Sequence, residues 1–223
     1  MRIKWQVENN AHCNKVLAKH WPKAPRYGDI KTILWESVPT VDLVCGGFPC
    51  QPFSLAGKRR GKDDDRYLWP EVVRCLGTLR PAWFLGENVP GLINLALDQV
   101  CTDLESLGYT VWPVCLPACA VDAWHQRQRV WIVAHASGNC DGWTDRIGRR
   151  ERKSPQAVSH VGSNGREEAL LWEPEPGVGR VVHGLPNQTH RIRGLGNAIV
   201  PQIAEALGRM IVEADEEDYS DLL

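Results

Sequence analysis

The chain has 223 residues, 43% of them hydrophobic and 24% charged, with a formal net charge of −1 at pH 7. That length supports one substantial core with at most a small appended lobe. The near-neutral balance excludes a protein that coats nucleic acid by bulk charge, while leaving room for a local basic face. Met1-Arg2-Ile3-Lys4-Trp5 has none of the apolar core of a signal peptide, and no apolar run approaches a membrane span. The eight cysteines are therefore expected to be reduced thiols of a cytoplasmic protein with no membrane association. Cys115 and Cys119 have no matching Cys/His pair and read as ordinary thiols, with no metal expected.

Residues 3–8 alternate apolar and polar and end on Glu8, as a strand would. A short helix is expected over 12–20, with Pro22 beyond its end. The apolar run 41–45 predicts a second strand and 83–87 a third. Between them, Leu68, Val72, Val73, Leu76 and Leu79 have helical spacing. A further helix is expected over 93–107, stopped by Gly108. Two more strands are expected over 109–116 and 130–134. Strands alternating with helices of this length predict an α/β sheet with helices on both faces. From about Ser137 the texture changes: residues 139–166 are rich in Gly, Ser, Asn and charge, with a surplus of three positive charges. Composition alone makes that a solvated segment. An amphipathic helix over 196–212 and a frayed acidic tail follow.

The stretch richest in chemistry is Gly46-Gly47-Phe48-Pro49-Cys50-Gln51-Pro52-Phe53-Ser54. Pro49 and Pro52 fix their own φ angles and restrict the residues before them. Gly46 and Gly47 permit a sharp exit from the strand or a close approach. A thiol is thereby held at the carboxyl end of a buried strand, where open α/β sheets place their ligands. The bland alternative is an inert buried cysteine. Downstream lie Glu87-Asn88-Val89, His125-Gln126-Arg127-Gln128-Arg129 and Gly196-Asn197-Ala198-Ile199-Val200-Pro201-Gln202. Arg127 and Arg129, two residues apart, would share one side of a strand.

With Pro49-Cys50-Gln51, these segments form an ordered motif set that resembles the cytosine-C5 DNA methyltransferases of compact bacterial or phage type, from about Val7 to Gln202. The resemblance implies a Rossmann-like sheet that binds S-adenosyl-L-methionine and acts on double-stranded DNA by base flipping. The family's Phe-x-Gly-x-Gly strand and turn has no counterpart here and would lie before Met1, so that a complementary N-terminal segment is an expected partner. Catalytic roles fall by resemblance on Cys50, Glu87, Arg127 and Arg129, with Arg129 the better match for a base contact and Arg127 bracing the site. His125 stands where the family usually has Gln, and a structural role is expected for it. Cofactor contacts are implied at Glu8, Asn9, Asp29, Ile30, Pro49, Leu68, Asn197 and Ala198. DNA contacts are implied at Gln51, Ser54, Lys58, Arg59, Arg60 and Arg66, the basic part of a closing loop over 54–66 in which Asp63-Asp64-Asp65 offsets much of the charge.

The expected organisation is a catalytic domain over 1–136, a small target-recognition region over 137–190, a helix over 191–214 that rejoins the sheet, and an acidic tail over 215–223. A monomer is expected, with a cognate restriction endonuclease as a functional partner. Two other readings stand beside this one. An RNA cytosine methyltransferase would use the same thiol chemistry, and a truncated or split relic would bind DNA without turnover.

Overall fold

The computed structural model describes residues 1–49, 67–136 and 197–220, with backbone only for 216–220. Cys50, Gln51, Ser54, Lys58, Arg59, Arg60 and Arg66 lie outside the described residues, as does the expected target-recognition region. The chain divides into two compact units, Met1–Cys115 with Arg129–Cys140, and Leu116–Gln128 with Asp141–Leu223.

The first unit opens with β1 (Gln6–Val7), α1 (Ala11–His20) and β2 (Arg26–Tyr27). α1 starts where it does because the Asn10 side chain accepts hydrogen bonds from the His12 and Cys13 N–H groups. β1 and β2 pair in parallel as a small sheet of their own. The main sheet has the order β3-β4-β6-β5, with β3 (Leu43–Gly47), β4 (Trp83–Asn88), β5 (Thr110–Leu116) and β6 (Arg129–His135). β3 runs parallel to β4, and β6 runs antiparallel to it. β4 and β6 are the most deeply buried strands, in keeping with their near-continuous apolar sequences.

α2 (Trp69–Leu79) packs beneath both sheets. Its Trp69 and Leu76 join a core with Phe48, Phe84, Leu92, Val100, Leu104, Tyr109, Val130, Ile132 and Ala134. Its Cys75 and Leu79 join a second cluster with Ile33, Trp35 and Val38, against which Trp5, Val7, Tyr27 and Ile30 lie. Arg74 adds two hydrogen bonds, to the carbonyls of Ile33 and Ile30, both at 2.8 Å. One helix thus anchors the β1–β2 pair and the main sheet together. Among the described residues the two sheets are not joined by strand pairing, since β1 and β3 fall in different sheets.

Several expected elements shift. The first strand covers two residues, and the strand after Pro39 runs on through Gly46 and Gly47, so these glycines extend it and do not turn it away. The helix expected over 93–107 is two helices, α3 (Leu92–Leu95) and α4 (Leu97–Ser106), separated by Ala96 at φ −157°. Gly108, at φ +85°, ends the second, a conformation open to glycine. In the other unit, α5 runs from Pro201 to Ser220 and takes in most of the acidic tail. Pro201 suits a first helical position, and the Glu- and Ala-rich continuation has good intrinsic helix propensity. α5 buries Ile203, Leu207, Met210 and Ile211. No helix among the described residues is long and apolar enough to cross a membrane.

Candidate active site

The carboxyl end of β4 carries the site. Within β4 only Glu87 is half-buried; its neighbours are fully buried. Three features of register surround it. Directly opposite in the parallel ladder stands Gly47, and a Cβ there would lie 3.2 Å from Glu87 Oε2. The glycine therefore gives the carboxylate room to lie across β3. On the other side, Glu87 faces Trp131 of β6, which makes Arg129 its diagonal neighbour on the same face of the sheet. Arg129 Nε donates to Glu87 Oε1 at 3.0 Å, with the two side chains only 14% and 16% exposed.

The next residue points to the opposite face. Asn88 is buried and donates Nδ2 to the Phe48 carbonyl at 2.8 Å, while its Oδ1 accepts from the Val89 N–H at 2.9 Å. Phe48 itself is buried against Trp69, with ring centroids 4.7 Å apart. The backbone that leads through Pro49 to Cys50 is thereby fixed from two sides before it leaves the described residues. Asn88 lies within the Glu87-Asn88-Val89 motif, which by itself implies no role for it. A buried amide one residue after a strand-end acid was the signal available. Of the two uses expected of Gly47, a sharp exit or a close approach to a ligand, the structure shows a close approach, and it is to Glu87.

The two arginines do not share a strand. β6 begins at Arg129, and Arg127 lies before it with φ +25°, in the left-handed region. The Arg127 guanidinium donates to the Ala198 carbonyl, a bond inside the second unit. The strand alternation expected to pair them does not extend to Arg127, because a period of two holds only within a strand. His125, Asn197 and Ala198 are exposed in that same unit.

The implied cofactor residues fall mainly at strand ends. Glu8 follows β1; its Oε1 accepts from the Asn10 N–H at 2.7 Å, and its backbone N–H donates to Tyr27. Asn9 is exposed beside it. Asp29 follows β2 and caps a short 3-10 helix through the Lys31 N–H. Ile30 packs against the second apolar cluster. Leu68 precedes α2 and its carbonyl accepts from Glu71 and Val72. Pro49 is exposed.

This architecture is that of an α/β methyltransferase. The Dnmt2 methyltransferase of S. pombe superposes with a TM-score of 0.56 at 20% identity, over 76% of this chain and 51% of that one. The DNMT2 of Spodoptera frugiperda gives 0.51 at 22% identity, over 62% and 44%. In sequence, residues 1–168 match the C-5 cytosine-specific DNA methylase family, and the chain belongs to that family. It is 37% identical over 127 residues to the type II methyltransferase M.HgiCII of Herpetosiphon aurantiacus, covering 53% of this chain and 29% of that protein. It is 38% identical over 120 residues to M.MspI of Moraxella sp, covering 51% and 28%. The matches thus span less than a third of the length of these relatives.

Proposed function

We propose that the chain transfers a methyl group to C5 of cytosine in a specific sequence of double-stranded DNA, through a transient covalent bond between Cys50 and C6 of the base. The observation that carries this reading is the Glu87–Arg129 pair, set opposite Gly47 on the strand that runs into Pro49-Cys50. The Cys50 thiolate adds to C6, and the electron pair moves onto the ring so that C5 becomes nucleophilic. Glu87, hydrogen-bonding at N3 and the exocyclic amine, holds the base and favours addition by keeping a proton at N3. Arg129 orients that carboxylate, and its planar, permanently charged guanidinium is assigned to the cytosine O2. Once C5 carries the methyl group, its proton passes to water, N3 gives back its proton to the Glu87 carboxylate, and the C6–S bond breaks to return the thiolate. The base must leave the duplex to be reached. Gln51, Ser54, Lys58, Arg59, Arg60 and Arg66 are assigned to that loop-closing role, and residues 139–190 to the choice of sequence.

The residues present fit S-adenosyl-L-methionine, which when bound supplies an electrophilic methyl group. Glu8 and Asp29 place two carboxylates just past the ends of adjacent parallel strands, suited to hydroxyls of a ribose and to an adenine amine. A Cβ at Gly28 or Gly46 would meet nothing within 4 Å, so the backbone is open to close approach at both places. Asn9, Ile30, Pro49, Leu68, Asn197 and Ala198 complete the proposed cofactor set.

A complementary N-terminal segment is part of this reading. Among the described residues β3 pairs only with β4, and its Cys45, Gly46 and Gly47 are exposed. A strand on that edge would satisfy the outward backbone groups of β3. In this reading the chain acts in the cytoplasm as a monomer, beside a cognate restriction endonuclease. Radiolabelled methyl transfer to duplex DNA and to tRNA, with the complementary segment supplied, tests it. Transfer to DNA alone is expected, and transfer to tRNA alone would overturn it in favour of the RNA reading.

A further inference from the structure

Trp124 is 70% exposed, the most exposed tryptophan among the described residues. Exposure alone decides nothing, because single apolar side chains are common on surfaces. The backbone that presents it is the informative part. A 3-10 helix, Ala118–Val121, ends at Asp122 in the left-handed region at φ 62°. Ala123 is buried, and its N–H donates to the Ala118 carbonyl. The Ala118 N–H in turn donates across the loop to the Gln126 carbonyl. One residue later, the Arg127 guanidinium donates to Ala198. Trp124 therefore stands at the tip of a loop closed by hydrogen bonds across its base, with exposed His125 and Gln126 beside it. A second exposed apolar side chain, Ile199 at 42%, follows the residue that Arg127 holds.

Resting on the methyltransferase reading, we propose that Trp124 is a substrate-positioning residue that stacks on a nucleobase or deoxyribose face of the DNA. A rigid loop loses little conformational freedom when its aromatic tip docks, so the contact is pre-organised. The indole supplies a broad π face and one N–H donor, and covalent connection to Arg127 and Arg129 sets cations close to it in sequence. An aromatic ring interleaved with cationic and polar side chains is the pattern that binds exposed bases with little sequence preference.

The test uses the chain of residues 1–223 labelled with 5-fluorotryptophan, with the complementary N-terminal segment supplied, the resonance of residue 124 being assigned with Trp124→Phe. Adding cognate duplex should shift that 19F resonance. Trp124→Ala should weaken duplex binding by about tenfold, with Trp124→Phe recovering most of the loss. The salt slope should stay unchanged, because no phosphate contact is removed. A duplex that binds with the resonance unmoved and Trp124→Ala unaffected overturns the proposal alone. Failure of the wild-type chain to bind any duplex even with the complementary N-terminal segment supplied overturns the methyltransferase reading and this proposal with it.

Discussion

The Asn88 amide holds the Phe48 carbonyl at 2.8 Å inside the protein, so the residue after the site's carboxylate fixes the backbone two residues before Cys50. Removing this donor leaves a buried carbonyl unsatisfied, which costs about 1–3 kcal/mol. Asn88→Ala should lower stability by that amount in urea unfolding. Asn88→Asp should be at least as harmful, since a carboxylate can only accept and would face an acceptor. Equal stability of both variants and wild type would contradict the assignment.

Glu87 and Arg129 should separate binding from chemistry. Glu87→Gln keeps shape but lacks an ionisable carboxyl, so kcat should fall by about 10²–10⁴-fold. DNA affinity should change far less, because phosphate contacts dominate it. Arg129→Met strands a largely buried carboxylate without its cation and should destabilise the fold as well as lower activity. Steady-state kinetics with duplex titrations read both effects.

Gly47→Ala tests the close approach. Its Cβ would lie 3.2 Å from Glu87 Oε2, so the carboxylate must move by a few tenths of an ångström. Activity should fall while thermal unfolding stays near wild type, since β-strand geometry at residue 47 accepts an alanine. Wild-type kcat in this variant would show that the Glu87 position is not demanding.

Alkaline stability should reflect two buried acids. Burial pushes the Cys75 thiol up to about 12 from 9.0 and the Tyr109 phenol up to about 12 from 10.0. Both are raised in the folded state, so their stabilisation is complete below the unfolded values and is lost as pH rises towards 12. Unfolding free energy should decline from about pH 9 upward. Tyr109→Phe should flatten the upper part of that decline while losing the hydrogen bond to the Pro81 carbonyl. A decline of unchanged steepness in Tyr109→Phe would contradict the role given to this phenol.

Much of the sheet was legible because its strands are apolar runs bounded by Gly, Pro and charge. The strand 83–87 and the helix from Leu68 to Leu79 emerged within a residue or so, since burial on β4 and a helical apolar stripe leave strong periodicities. The broken helix at Ala96 was not legible, because alanine is a strong helix former and carries no signal for the non-helical φ of −157° it adopts. Glu87 and Arg129 could be named from motifs. Their contact depends on the antiparallel register of β4 and β6, which links residues 42 apart in sequence. The placement of Arg127 was not legible for the complementary reason: it lies two residues before β6 begins, outside the alternation.

The outer edge of β3 yields a further expectation. A peptide comprising a strand, a glycine turn and a helix, about 20–25 residues long, taken from the start of a type II relative, should raise affinity for S-adenosyl-L-methionine. Calorimetry should show tighter cofactor binding with the peptide than without it. Equal affinity in both would remove the need for a strand at that edge.

The most direct measurement is covalent capture on a cognate duplex carrying 5-fluorocytosine, with cofactor and the complementing peptide present. Fluorine at C5 cannot leave as a proton does, so the C6–S bond cannot be released. A denaturant-resistant protein–DNA adduct is expected, mapped by peptide mass spectrometry to Cys50 and absent from Cys50→Ala. Methyl transfer that persists in Cys50→Ala, or an adduct at any other residue, would contradict the account.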